Sequence, residues 1–376
     1  VTSKPRYVAT RLWGDGTETV LDGDLQVNSF EESRVLNNGA EITARLAPKF
    51  QYLYLEDGSL MLQRWATGIY AIIGGDVVGG ILVDYDENKG GELELDIMGF
   101  AGWPNGQPYT DSWVATHIDP IDVFRQGWDW IQSKDRSNLG LQLDDTKAGY
   151  TIGRMVAQGE FDTENGPLSF EYEPVRFAWY ETDDLGGKLA ELAANTPFDF
   201  TELHSFNEEL QTFTHRLAIG YPRLGRRRHD LRFVIGENVD IDGMPGSGDN
   251  YASEVMALGA GEGSAMVRAH VHRNNESRLR RVHVLDVKDA QTPQAANAAA
   301  QGELIKHHGE STLNEVIAYP GDPDAAAVVV GDEIRVQGDT GHRVIDLWAR
   351  VIKITREHPG DGAIRFDVSA DDTLGA

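Results

Sequence analysis

Branched and aromatic residues alternate with polar ones in short runs along the first hundred positions of the chain. LQVNSF, EITARLA, QYLYLE, LMLQRWAT, YAIIGG, GGILVDYDE and ELELDIMGF follow one another, separated by Gly, Asn and Asp. In the last run Leu93, Leu95 and Ile97 share one face, the two-residue period of a half-buried strand. Many short strands at this spacing predict a compact barrel or sandwich.

The period then changes. In HIDPIDVFRQGWDWIQS, Asp119 is placed as N-cap and Pro120 at the first helical position. Ile121, Phe124, Trp128 and Ile131 then form one helical stripe. A second helix is expected in ETDDLGGKLAELAANTP, with the stripe Leu185, Leu189 and Leu192, two internal glycines, and Pro197 beyond its end. With β-like pieces between the two helices, residues 103–200 read as an α+β insertion.

From about residue 213 the pattern is β again. FTHRLAIGYP, DLRFVIG, SEVMALGAGEGSAMVRAHVH and RLRRVHVLDV are expected to form a meander. One helix interrupts it, TPQAANAAAQGELIKHH, with Thr292 as cap, Pro293 at the first position and Gly309 as the stop. Its small face, Ala295 to Ala300, suits close packing on a sheet. VVVGDEIRVQG leads into LWARVIKITREHPGDGAIRFDVSA, two alternating runs joined across HPGDG as a hairpin. The whole predicts a mainly-β fold with α+β insertions. Residues 1–102 form a first β-barrel-like domain, 103–200 the insertion, and 201–376 a second barrel-like domain with one Ala-rich helix and a C-terminal hairpin.

Charge narrows the functional classes. Among 376 residues, 34 Lys plus Arg face 60 Asp plus Glu, a formal net charge of -26. Such a surface repels nucleic acid and anionic membrane. The chain has no cysteine, which removes disulfides and thiolate zinc sites. The apolar stretch GIYAIIGGDVVGGILV is broken by Gly-Gly pairs and Asp76 and is too short to span a bilayer. The segment VTSKPRYVATRLW lacks the apolar core of a signal peptide. A soluble protein is expected, without membrane insertion and held in the cytoplasm until it assembles.

Candidate chemistry is sparse. DYDENKGGELEL places Asp84, Asp86 and Asn88 as in a calcium loop, but Lys89 and Leu95 stand where Gly and Glu are needed, so a hairpin turn is expected. LGAGEGSA spaces Gly259, Gly261 and Gly263 as GxGxG before a strand-like segment, which favours a turn over a dinucleotide loop. His270 and His272 share a strand face and could in geometry bind a metal, yet spacing offers no third ligand. His307 and His308 sit at a helix C-terminus, where positive charge is favoured in any case. With no GxSxG or HExxH motif and carboxylates too numerous to single out a pair, no enzyme, cofactor or metal is expected.

The run YPRLGRRRHD stands out: with Arg232 just after it, Arg223, Arg226, Arg227, Arg228 and Arg232 fall within ten residues. A nucleic-acid patch would have more cationic surroundings and interleaved aromatics. A phosphate cradle would have a helix N-terminus, and HDLRFVIGENV reads as strand. Arginine pairs bidentately with carboxylates, and the chain has these in excess. A second cluster, Arg278, Arg280 and Arg281 with Arg273, lies in the same β region. Both are expected to form structural salt bridges within the chain or across a protomer interface.

Ordered blocks through most of the chain carry a family resemblance: DPIDVFRQGWDWIQS, HRLAIGYPRLGRRRHDLRFVIGENV, LGAGEGSAMVRAHVHRNNESRLRRVHVLDVKD, the Ala-rich helix with AAAQGEL, and VGDEIRVQG. Together they resemble the minor tail proteins of siphophages infecting actinobacteria, tail-hub proteins related in fold to the baseplate hub of contractile tails. The resemblance implies two tube-like β-barrel domains per chain with smaller peripheral domains. It implies a homotrimer whose six barrels form a ring at the virion tail tip, adapting sixfold to threefold symmetry after assembly in the host cytoplasm. Implied partners are the tail-tube or distal tail protein ring, the tape-measure protein and other tail-tip or receptor-binding proteins, with DNA only in transit. An acidic channel wall would not retain that DNA. Related hubs sometimes carry a C-terminal hydrolase or fibre; with Ala376 close behind the last expected strand, none is expected here. Two alternatives differ in class. One is a carbohydrate-binding or cell-wall-degrading tail-tip protein, drawing on Trp103, Trp113, Trp128 and Trp130; the other is a cellular scaffold unrelated to phage.

Overall fold

The computed structural model describes residues 5–47, 54–87, 91–153, 161–163, 166–168, 174–180, 184–242, 244, 251–273, 278–288, 290, 292–307, 313–360 and 362–369. Asn88, Lys89, His308 and Gly309 lie outside the described residues.

Sixteen strands form one sheet, which curls twice. In the first curl, strands Arg6–Leu12, Thr67–Ile73, Asp76–Glu87, Leu93–Met98, Glu41–Leu46 and Ser29–Val35 pair antiparallel in that spatial order. The alternation seen in the sequence is the reason for the curl: Leu93, Leu95 and Ile97 point inward. They join Phe30, Ile42, Ile69 and Leu82 in one apolar core. Burying each such side chain contributes roughly 1.5–3 kcal/mol. Tyr7 and Phe30, on the two end strands, bring their ring centroids to 5.4 Å. The strands on either side of the would-be calcium loop pair antiparallel, with Asp84 opposite Asp96 and Asp86 opposite Glu94.

The second curl closes completely. Phe233–Val234 pairs with Glu333–Asp339, then come Val344–His358, Ile364–Ser369, Glu315–Ala318 and Val239–Asp240. A bridge from Ile235 to Val239 completes the circuit around Phe233, Val316, Ile334, Val351 and Phe366. The fifteen-residue strand Val344–His358 belongs to both curls. After a bulge between Val351 and Lys353, its last residues pair with Phe30–Val35 of the first curl. The two barrel-like units are thus parts of one hydrogen-bonded sheet, and the fold is mainly β with helical insertions, as the patterning predicted.

Between the curls, strands Asp199–Asn207 and Thr212–Gly220 form a hairpin that meets the first curl where His204 pairs with Val77. Helices α1 (Pro120–Gln132) and α2 (Leu185–Asn195) pack on it. Asp119 caps α1 by accepting from Ile121 N at 2.9 Å, and Asp184 caps α2 through Gly186 N. The expected stripe Ile121, Phe124, Trp128 and Ile131 is at most 1% exposed. Gly127 lets the helices approach, since a Cβ there would lie 2.9 Å from Leu189.

The expected meander is replaced by a separate small unit. Its central strand Glu254–Leu258 pairs antiparallel with Arg268–His272 and parallel with Val282–Asp286. The third strand therefore crosses to the far side of the first. Alternation specifies that these segments are strands but not their lateral order. Helix α3 (Pro293–Lys306), capped by Thr292, lays Ala296, Ala300 and Leu304 against Val255, Ala257 and Ala269. A short helix α4 (Pro323–Ala326) precedes the last three strands. Among the described residues, no helix is long and apolar enough to cross a membrane.

Candidate functional site

The arginine run lies where the closed barrel, the central hairpin and the first curl meet. Two loops cross there. Gly225 has φ +79°, and a Cβ on it would stand 2.2 Å from the carbonyl carbon of Gly331, itself at φ +91°. Only glycine permits both the backbone conformation and the approach. Past the crossing, residues 226–228 run beside Glu333: Glu333 N donates to Arg226 O at 3.0 Å, and Arg228 N donates to Glu333 O at 2.8 Å.

That backbone track aims the side chains. Arg227 forks onto Glu333, with Nε and Nη2 at 2.8 and 2.9 Å, and its guanidinium lies 4.9 Å from the ring centre of Trp348. Arg228 is 7% exposed; it donates to Asp332 at 2.8 Å, to Ala327 O at 2.6 Å and to both oxygens of Asp230. Hydrogen bonding from Arg228 holds the Asp230 carboxyl down to about 2. Arg223 reaches Asp199 at 3.5 Å. Arg226 and Arg232 point outward, 70% and 69% exposed, near Asp230 and Glu237.

Beneath the run lies a pair that the sequence did not single out. Asp199 and Arg350 are both fully buried and form an ion pair. Asp199 also accepts from Leu224 N at 2.9 Å and from Asn37 Nδ2 at 3.0 Å, so one carboxylate ties the loop carrying the arginine run, the turn after Ser29–Val35 in the first curl and the long strand. Arg350 donates further to Gly331 O and Leu224 O, each at 3.3 Å. Both residues sit in alternating apolar runs, FDF and LWARVIKI, where an inward-facing charge leaves no mark on the period. Glu333 and Asp332 were legible only as part of a strand start.

The second basic cluster is elsewhere. Arg280 forks onto Glu254 at 2.6 and 2.9 Å, Arg278 lies over the Tyr251 ring at 4.9 Å, and Arg281 holds Ser253 through its backbone. All three belong to the small three-stranded unit rather than to the joint. His270 and His272 lie on the solvent face of that unit, His270 2.8 Å from Glu254.

A further buried polar chain links the first curl to the hairpin. His204 and His215, opposite each other in register, place their Nδ1 atoms 2.8 Å apart. His215 Nε2 meets Glu18 at 2.9 Å, and the Tyr70 hydroxyl donates to the same carboxylate at 2.7 Å. Glu202 accepts from Ala40 N and Ala101 N at 2.7 and 2.8 Å. Burial pushes Glu202 up to about 7 and His204 well below the usual imidazole range. The four tryptophans of the carbohydrate alternative pack inward: Trp128 is buried in the helical core, with Trp103, Trp113 and Trp130 against it.

No protein-family model matches the sequence, and no curated protein does. Solved structures do match, over the whole chain. The 43 kDa tail protein of prophage MuSo2 from Shewanella oneidensis aligns at TM-score 0.61 and 13% identity, covering 98% of this chain and 99% of that one. This chain shares its fold with phage tail proteins. The tail protein from Neisseria meningitidis MC58 aligns at TM-score 0.55 and 15% identity, covering 98% and 97%. Prophage tail protein gp18 from Listeria monocytogenes EGD-e aligns at 0.54 and 10%, covering 99% and 95%. At these identities the likeness is one of fold, and it takes in both barrel-like units and the insertions of this tail-protein fold together.

Proposed function

We propose that the chain is a structural, non-enzymatic component of a phage tail: a hub ring of three copies that ends the tail tube. The observation that carries this reading is the end-to-end likeness to tail proteins, with almost nothing left over on either side. Two barrel-like units joined by one sheet would let a trimer present six similar modules, matching a sixfold tube on one side and a threefold tip on the other. The proposed neighbours are a tail-tube or distal tail ring, the tape-measure protein and receptor-binding proteins. Its place is the virion tail tip, and on the sequence blocks quoted above the phage is a siphophage of actinobacteria. Arg226 and Arg232, exposed at the joint, are the arginines best placed to reach carboxylates of an adjacent protomer. The net charge of -26 fits a lumen that lets DNA pass.

Native mass measurement of the purified chain, alone and with the tail-tube protein, tests the reading. A ring of three copies is expected. A monodisperse monomer that never joins the tube or a virion would overturn it.

A further inference from the structure

The small unit of α3 and its three strands carries a cluster that the tail fold does not explain. Along α3, the face turned to the sheet reads Ala296, Ala300, Leu304, and its last turn replaces aliphatic residues with Glu303 and His307. Opposite them, strand Val282–Asp286 alternates toward the helix with His283 and then Leu285. In register, His283 lies beside Val255, whereas His270 lies beside Met256 on the other face. Three chemistry-bearing side chains thus stand where the pattern calls for apolar ones.

They converge. His307 Nε2 is 3.2 Å and His283 Nε2 3.9 Å from the same oxygen of Glu303. One donor atom from each of the three lies within 4.8 Å of the others. The two imidazole rings have centroids 4.2 Å apart. Ligands of a tetrahedral ion with bonds of about 2.0–2.2 Å are separated by roughly 3.3–3.6 Å, which these spacings bracket. A hydrogen bond alone accounts for His307 on Glu303 but not for a second imidazole aimed at the same oxygen from another element.

We propose that His283, Glu303 and His307 bind a divalent transition metal of the zinc class. Two imidazoles and one carboxylate suit zinc, cobalt or nickel, while magnesium and calcium prefer all-oxygen sets. The side chains are 37%, 21% and 15% exposed, so water can reach the ion and complete its shell. The ion would pin the last turn of α3 to the strand Val282–Asp286. That turn is already fixed on its other side, where Ala252 N donates to His307 O at 3.0 Å and Arg273 donates to Leu304 O at 2.6 Å.

Chelator-treated full-length protein titrated with Co2+ tests this through visible absorption. One Co2+ per chain is expected, with the intense bands of a low-coordinate site, displaced by Zn2+. His283→Gln and Glu303→Gln should each weaken binding at least tenfold. His270→Ala, on the opposite face, should leave it unchanged. Circular dichroism of the metal-free variants separates loss of a ligand from loss of fold. Absence of the bands in the wild type, or equal binding by wild type and His283→Gln, overturns the proposal.

Discussion

Replacing Asp199 with alanine removes the carboxylate at the centre of the joint and leaves a fully buried guanidinium behind. Arg350 would still donate to the carbonyls of Gly331 and Leu224, at 3.3 Å each, but these carry no countercharge, while Leu224 N and Asn37 Nδ2 lose their Asp199 acceptor. Breaking a buried pair from one side costs about 3–5 kcal/mol, because the remaining charge stays desolvated. The orphaned donors add about 1 kcal/mol each where water cannot reach them. Asp199→Ala should therefore lose at least about 4 kcal/mol, read from urea unfolding followed by tryptophan fluorescence. The double change Asp199→Ala with Arg350→Met removes the stranded charge and should recover all but about 2 kcal/mol. The same cycle on Arg335 and Asp346, an exposed pair at 2.7 Å, should show a far weaker coupling, since water screens both charges. An Asp199→Ala variant within about 1 kcal/mol of wild type, or a double variant worse than the single, would refute the buried-joint account.

Within the arginine run, Arg228→Ala should cost about 3 kcal/mol by stripping the buried Asp332 of its cation. Arg226→Ala should stay within about 0.5 kcal/mol yet, on the proposed function, lower the fraction of the proposed trimer in native mass spectra; equal stability losses for both would contradict the assigned roles. Burial raises Glu202 from 4.5 to about 7, so the stability linked to its protonation is complete below pH 4.5 and lost as pH rises to about 7. His204, held neutral by burial, acts in the opposite sense and lowers stability as pH falls below 6.5. The stability of Glu202→Gln relative to wild type should accordingly climb by about 3 kcal/mol between pH 4.5 and 7, and a difference independent of pH would sink this reading.

The helices were legible because their signals are local. Asp119 with Pro120, Thr292 with Pro293, and stripes spaced three and four apart all lie within one or two turns. Individual strands were legible from their two-residue period, and the C-terminal hairpin from HPGDG between two such runs. Strand partners were not. Phe30–Val35 pairs with residues more than 300 positions away, and nothing in either alternation names the other. The same limit turned the expected meander into a crossover around Glu254–Leu258. At the joint, the arginines were visible as a run, but their partners Asp332, Glu333 and Asp199 come from distant segments. Arg350 and the facing pair His204 and His215 occupy inward strand positions, where only register shows that charges and rings meet.

The shared strand Val344–His358 has a mechanical meaning. Its interstrand bonds to Phe30–Val35 lie across the strand direction, so a force sliding one unit past the other along that strand strains them all together. A force applied at one end, peeling the units apart, meets them one at a time. The molecule is thus stiff in shear and compliant in unzipping, and the angle between that strand and any pull on the molecule decides which of the two it offers.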